Sequence, residues 1–111
     1  MNRRTVADER RIESTHSILA DRERRAIVRA LKTNEGSLTV AALTDRLTGR
    51  RSKQVIRVRL HHQHLPKMER AGIVDYDQGS GRVSLTPLGR RVGEIAERTD
   101  ELLDGDTPSV G

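Results

Sequence analysis

The stretch Thr39–Gly72, TVAALTDRLTGRRSKQVIRVRLHHQHLPKMERAG, decides the fold. Val40, Leu43 and Leu47 recur at helical spacing, which places them on one face of a short helix over residues 40–47. Thr39 offers a side-chain oxygen to that helix's exposed amides, and Thr48-Gly49 breaks it. Residues 50–65 then read as a longer helix in which apolar residues alternate with Arg and His. Pro66 has no amide hydrogen and ends or kinks that helix; a last turn from Pro66 to Ala71 closes at Gly72. Two helices joined by a glycine-containing turn, the second strongly basic, make a helix-turn-helix.

The flanks complete the pattern. Ile73–Asp77 and Arg82–Thr86 are strand-like runs around Gln78-Gly79-Ser80-Gly81, a hairpin loop by composition and length. Thr86-Pro87 is an N-cap followed by proline at the first helical position. The helix it opens carries Leu88, Val92, Ile95, Thr99 and Leu102 as a short heptad stripe, suited to its own domain or to a twin helix. Upstream, Ser14 or Thr15 suits the cap of a short helical turn through Leu19. Asp21 suits the N-cap of a helix whose buried stripe is Ile27, Val28 and Leu31, ended by Asn34-Glu35-Gly36. Ser37-Leu38-Thr39 is long enough only for a minor strand. The expected fold is mainly α with a small β-hairpin, a winged helix-turn-helix. Its expected parts are a flexible arm (1–12), the winged domain (13–86), a C-terminal helix open to dimerisation (87–103) and a flexible tail (104–111).

Composition narrows the functions. At 111 residues, one third hydrophobic and one third charged, the chain has material for one modest core. That core is aliphatic, and the sole aromatic, Tyr76, falls at a strand position expected to face it. Without Phe or Trp there is no stacking platform for single strands. Without Cys there is neither thiolate metal site nor cysteine chemistry. No apolar stretch is long enough to span a membrane, and the start has no secretory signal, so the expectation is cytoplasmic, nucleoid-associated and off the membrane. Gly-rich phosphate loops and nucleophile elbows are likewise missing, so an enzyme is not expected and no cofactor is implied.

Charge placement points to a polyanion. Residues 46–70 hold eight basic side chains against Glu69 alone, a net +7 within a chain of +5 overall. A basic middle third between less basic flanks is the footprint of nucleic-acid contact. Arg50, Arg51, Lys53, Gln54, Arg57 and Arg59 are the candidate DNA contacts of the basic helix, with His62 beside them. Arg can grip guanine with two hydrogen bonds and Gln adenine, while Lys53 suits a phosphate. On a wheel of about 100° per residue, Arg57 falls beside Leu60, His61, His64, Leu65 and Met68 and so toward the interior; Arg59 lies opposite and faces out. From the wing, Ser80 and Arg82 are placed to reach flanking phosphates or the minor groove. His61, His62 and His64 invite a metal reading, but three histidines on one helix diverge too far to share an ion, and no metal is expected.

The segment His64-Leu65-Pro66-Lys67-Met68-Glu69-Arg70-Ala71-Gly72-Ile73-Val74-Asp75-Tyr76-Asp77 resembles small winged-helix domains abundant in haloarchaea. These share an "HLPKLE-AG-V-YD" signature, and the broader ArsR-like winged-helix superfamily carries a looser form of it. Ile18–Arg25 is similar to the group's "LLSN-RRR" helix start, and Leu85–Arg90 to the "LT--G" motif that follows many wings. The likeness covers roughly residues 14–92 and implies a winged helix that binds DNA and regulates transcription. Where the group often carries tyrosines, this chain has Arg57 and His61. Haloarchaeal proteins are typically acidic, so a basic member points more strongly to a nucleic-acid partner. In a cytosol molar in KCl the Debye length falls to about 3 Å, and binding would rest on close contacts.

The reading that follows is a sequence-specific, double-stranded-DNA-binding transcriptional regulator acting as a homodimer. The basic helix would lie in the major groove and the wing on the flanking backbone. The alternatives are a winged-helix module docking an acidic protein partner, and a binder of duplex RNA.

Overall fold

Asp21 separates two helices. In the computed structural model, which describes residues 16–103, α1 covers residues 16–20 and α2 runs Arg22–Thr33. The expected arm, the Ser14 or Thr15 cap and the tail lie outside the described residues. Asp21 is the N-cap expected of it: its Oδ1 accepts the amides of Glu23 at 2.8 Å and Arg24 at 3.2 Å. Ile27, Val28 and Leu31 form the buried stripe of α2, joined by two arginines, Arg24 and Arg25. Those arginines tie α1 down: Arg24 Nη2 donates to the Ser17 carbonyl at 3.2 Å and Arg25 Nη1 to that of Leu19 at 2.6 Å.

β1 (Ser37–Thr39) leads into α3 (Val40–Leu47), capped by Thr39 Oγ1, which accepts the Ala42 amide at 3.1 Å. The turn between the paired helices is longer than the sequence suggests. Ser52 holds an extended conformation and caps α4 (Lys53–Arg59), accepting the Val55 amide at 3.2 Å. The helix expected from residue 50 therefore starts at 53, and Arg50 and Arg51 lie in the turn ahead of it.

Nor does Pro66 end the helix. A π-helical turn, Leu60–His64, follows α4, and α5 (Leu65–Arg70) continues without a break. The Leu65 amide bonds the Leu60 carbonyl, five residues back. The wider turn ends two residues before Pro66, which has no amide to give and whose ring would crowd an ordinary helical turn.

β2 (Val74–Asp77) and β3 (Arg82–Leu85) form the hairpin, and β1 joins it to give an antiparallel sheet in the order β1-β3-β2. Leu38 faces Val83, which also pairs with Tyr76, so the supposed minor strand is a full member of the sheet. Gly81 turns the hairpin at φ 74°, a left-handed conformation that favours glycine. Val83 and Leu85 point into the core, whereas Arg82 is exposed.

α6 (Pro87–Leu103) starts at Thr86, whose Oγ1 accepts the Gly89 amide at 2.9 Å. Gly89 lies so close to β2's approach that a Cβ there would overlap the Ile73 carbonyl oxygen. Beyond it, Val92 and Ala96 are buried, Gly93 packs on Val28 and the Lys32 stem, and Lys32 Nζ meets Glu97 at 3.1 Å. The heptad stripe is thus divided. Leu88 and Val92 pack on their own domain, while Ile95 is 45% and Leu102 83% exposed; the Thr99 side chain lies outside the described residues. The whole is a mainly helical winged helix-turn-helix around one aliphatic core. No helix among the described residues is long and apolar enough to cross a membrane.

Candidate nucleic-acid interface

Ile56 and Leu60 turn α4 so that its opposite side faces solvent. Lys53, Gln54, Val55, Arg57 and Val58 are exposed there, with Arg50 and Arg51 ahead of the helix and His61 and His62 after it. Among the described residues Arg50 and Arg57 have no ion-pair partner. Lys53 Nζ lies 2.9 Å from Asp45 Oδ1, but both side chains are well exposed, and such a surface pair holds the lysine only weakly. Two valines were missing from the sequence-based candidates. Val55 and Val58 are 41% and 52% exposed, one helical turn apart in the middle of the basic face. Only the periodicity of the neighbouring Ile56 and Leu60 signals that they point outward.

Arg59 behaves differently, and this reverses the expectation from the helical wheel. Arg57 faces out, while Arg59 reaches back to α2, where Nε and Nη2 both bond Glu23 Oε1 at 2.8 and 2.7 Å. His64 Nε2 bonds the same oxygen at 2.7 Å, and Arg51 Nε lies 3.2 Å from Oε2. The guanidinium of Arg24 meets His64 on its other side, Nη1 to Nδ1 at 3.2 Å. A guanidinium only donates, so Nδ1 accepts, and Nε2 carries the hydrogen that Glu23 accepts. Burial pushes the Glu23 carboxyl up, but hydrogen bonds from Arg59 and then His64, with the Coulombic pull of Arg59, outweigh it and hold the group below its ordinary value. Glu23 therefore holds Arg59 within the fold's own framework and pairs with the half-exposed Arg51 at its edge.

The three clustered histidines go to separate surroundings. His64 is buried between α2 and the π turn, His62 is exposed, and His61 Nδ1 meets the Tyr76 hydroxyl at 2.9 Å. Tyr76 thus packs on the core, as expected of it, and also ties the wing to the end of the basic helix. Asp21, Glu23 and His64 do bring ligand-type atoms within 4.8 Å of one another. Their lone pairs already face the guanidinium groups of Arg24, Arg51 and Arg59, a setting that suits an ion-pair network rather than a cation.

On the wing, Ser80 is exposed at the tip, where its Oγ accepts the Arg82 amide at 3.3 Å. The Arg82 side chain lies across the sheet, Nη1 donating to Ser37 Oγ at 2.7 Å, rather than extending past the tip. Asp75 and Asp77 are exposed on the neighbouring strand, so the wing carries acids beside its single arginine.

A cleft of about 210 Å³ lies behind α4. Ala26, Leu47, Ile56 and Leu60 line it, with Arg22, Glu23, Arg59 and His64 around them.

Residues 16–84 match the family model described as Domain of unknown function (DUF7344). The match runs from α1 into β3, and so includes the helix-turn-helix and the wing but not α6. No curated protein and no solved structure matches the chain.

Proposed function

The chain belongs to the DUF7344 family, and from that premise we propose that it is a non-enzymatic, double-stranded-DNA-binding regulator of transcription, of the ArsR-like winged-helix type found in haloarchaea. The observation that carries this reading is the outer face of α4. Arg50, Lys53, Gln54, Arg57 and His62 are all exposed on or beside it. A helix in the major groove needs cations for phosphates and forked or two-sided side chains for base edges, and this face offers both. Val55 and Val58 fit the same groove, because thymine presents a methyl group there that an apolar side chain can cover. The wing would rest on flanking backbone through Ser80 and, after a shift from Ser37, Arg82.

A homodimer suits a module this small, since two half-sites multiply few contacts. Ile95 and Leu102, exposed on the distal half of α6, are the residues proposed for that seam. Selection from random duplexes tests the reading. Enrichment of one motif, palindromic about its centre, is the expected result. Retention of no duplex, or of every duplex equally, would contradict sequence-specific binding.

A further inference from the structure

The cleft behind α4 has the features of a small-ligand site. At about 210 Å³ it exceeds the roughly 150 Å³ apolar cavity known to accept benzene. Its existence traces to Ala26, a small residue on the side of α2 that faces Leu47, Ile56 and Leu60. The π turn, a form that recurs at functional sites, places both Leu60 and His64 on its wall.

The mouth selects the chemistry of the head group. Both Glu23 oxygens are already engaged: Oε1 takes Arg59 and His64, and Oε2 takes Arg51. A cationic head would have to compete with those partners for Glu23 and meets two lining cations, Arg22 and Arg59. An anionic head finds donors. Arg59 uses Nε and Nη2 on Glu23, which leaves Nη1 of its five-donor guanidinium for a ligand.

We propose that this cleft binds a compact apolar carboxylate, about the size of a single ring, with its carboxylate at Arg59. Arg59 and Ile56 belong to α4, so occupancy would tilt the basic helix and change its grip on DNA. The site stands or falls without DNA; its regulatory consequence rests on the function proposed above.

Benzoate serves as the probe, with benzyl alcohol and acetate as controls, each titrated into isotope-labelled full-length protein and followed by NMR. Saturable shifts of the Ala26, Leu47, Ile56 and Leu60 methyls are expected with benzoate, and at least about tenfold weaker binding with either control. In Ala26→Phe, which fills the cleft from α2 and leaves the Glu23 network intact, those shifts should vanish while the spectrum remains folded. Should that variant not fold, the smaller Ala26→Val replaces it, with binding weakened rather than lost. Absent shifts, shifts equal for benzoate and acetate, or shifts unchanged in the filled variant would overturn the site. In parallel, duplex affinity should change severalfold with saturating benzoate in the wild type but not in the filled variant. An unchanged affinity would overturn the regulatory half. Failure to bind any duplex would count against the proposed function, while the NMR result still decides the site.

Discussion

Arg57 and Arg59 are two residues apart on one helix and belong to different parts of the molecule. Arg57 stands in solvent on the outer face of α4, among Lys53, Gln54 and the two exposed valines. Arg59 is folded back onto Glu23, in a network that extends through His64 to Arg24. The lesson is that a count of basic residues is not a count of DNA contacts. Of the eight cations in residues 46–70, Arg51 and Arg59 answer an acid on α2, and Lys53 leans on Asp45. The outer face is open to a partner; the inner edge holds the basic helix in place.

Variants of the two regions should separate cleanly. The largest effect belongs to the outer face. Replacing Arg50, Lys53 and Arg57 together by Ala should weaken duplex binding about a hundredfold at moderate salt, because each cation displaces counterions from a phosphate. Thermal stability should barely move, since all three side chains are exposed. A large loss of stability in that variant would mean that the outer face also holds the fold together.

Next comes the inner edge, with the opposite signature. Glu23→Gln removes the charge that Arg51, Arg59 and His64 share, and should cost about 2 kcal/mol in denaturant unfolding. Duplex affinity of the folded variant should stay within about threefold of wild type, well short of a tenfold, 1.4 kcal/mol change. The same variant gives the pH test. Because the Glu23 carboxyl is held below its ordinary value of 4.5, its stabilisation is complete above that value and fades as pH falls through the lower, folded-state value. The stability gap between wild type and Glu23→Gln should therefore close as the solution is taken below pH 4.5. A gap that widens on acidification would rule out the ion-pair assignment.

Smaller still is the effect expected at the valines. Val58→Ala removes two methyl groups from the middle of the outer face and should cost about 1 kcal/mol in affinity for a selected site. The loss should disappear on duplexes in which uracil replaces thymine, and the salt dependence should not change. An equal loss on both duplexes would show that Val58 does not read a thymine methyl.

Most of the fold was legible in the sequence because its punctuation is local. Asp21, Thr39 and Thr86 cap the helices expected of them, and the hairpin turns where Gly79 and Gly81 stand. The errors have physical causes. Ser52 competes with the apparent helix start at residue 50, and capping wins. The inward and outward assignments of Arg57 and Arg59 were drawn from a wheel that carried the stripe of Leu60, His61, His64, Leu65 and Met68 back through an unbroken α-helix. The π turn at Leu60–His64 fits extra residues into one turn, so the stripe above it does not extrapolate below it. The Glu23 network was invisible for another reason. Its members are 36 and 41 residues apart, and nothing local in the chain announces that they meet. Likewise, the stripe on α6 was visible as a pattern, but packing on α2 determined which half of it is buried.

The division between outer face and inner edge is tested most directly by the salt dependence of duplex binding, measured by fluorescence anisotropy on the wild type, the triple outer-face variant and Glu23→Gln. The wild-type affinity should fall with log salt at a slope of roughly −0.9 per phosphate contact, the triple variant at a slope shallower by about two to three units, and Glu23→Gln at the wild-type slope. Equal slopes for the wild type and the triple variant, or a change in slope confined to Glu23→Gln, would contradict the placement of DNA on the outer face of α4.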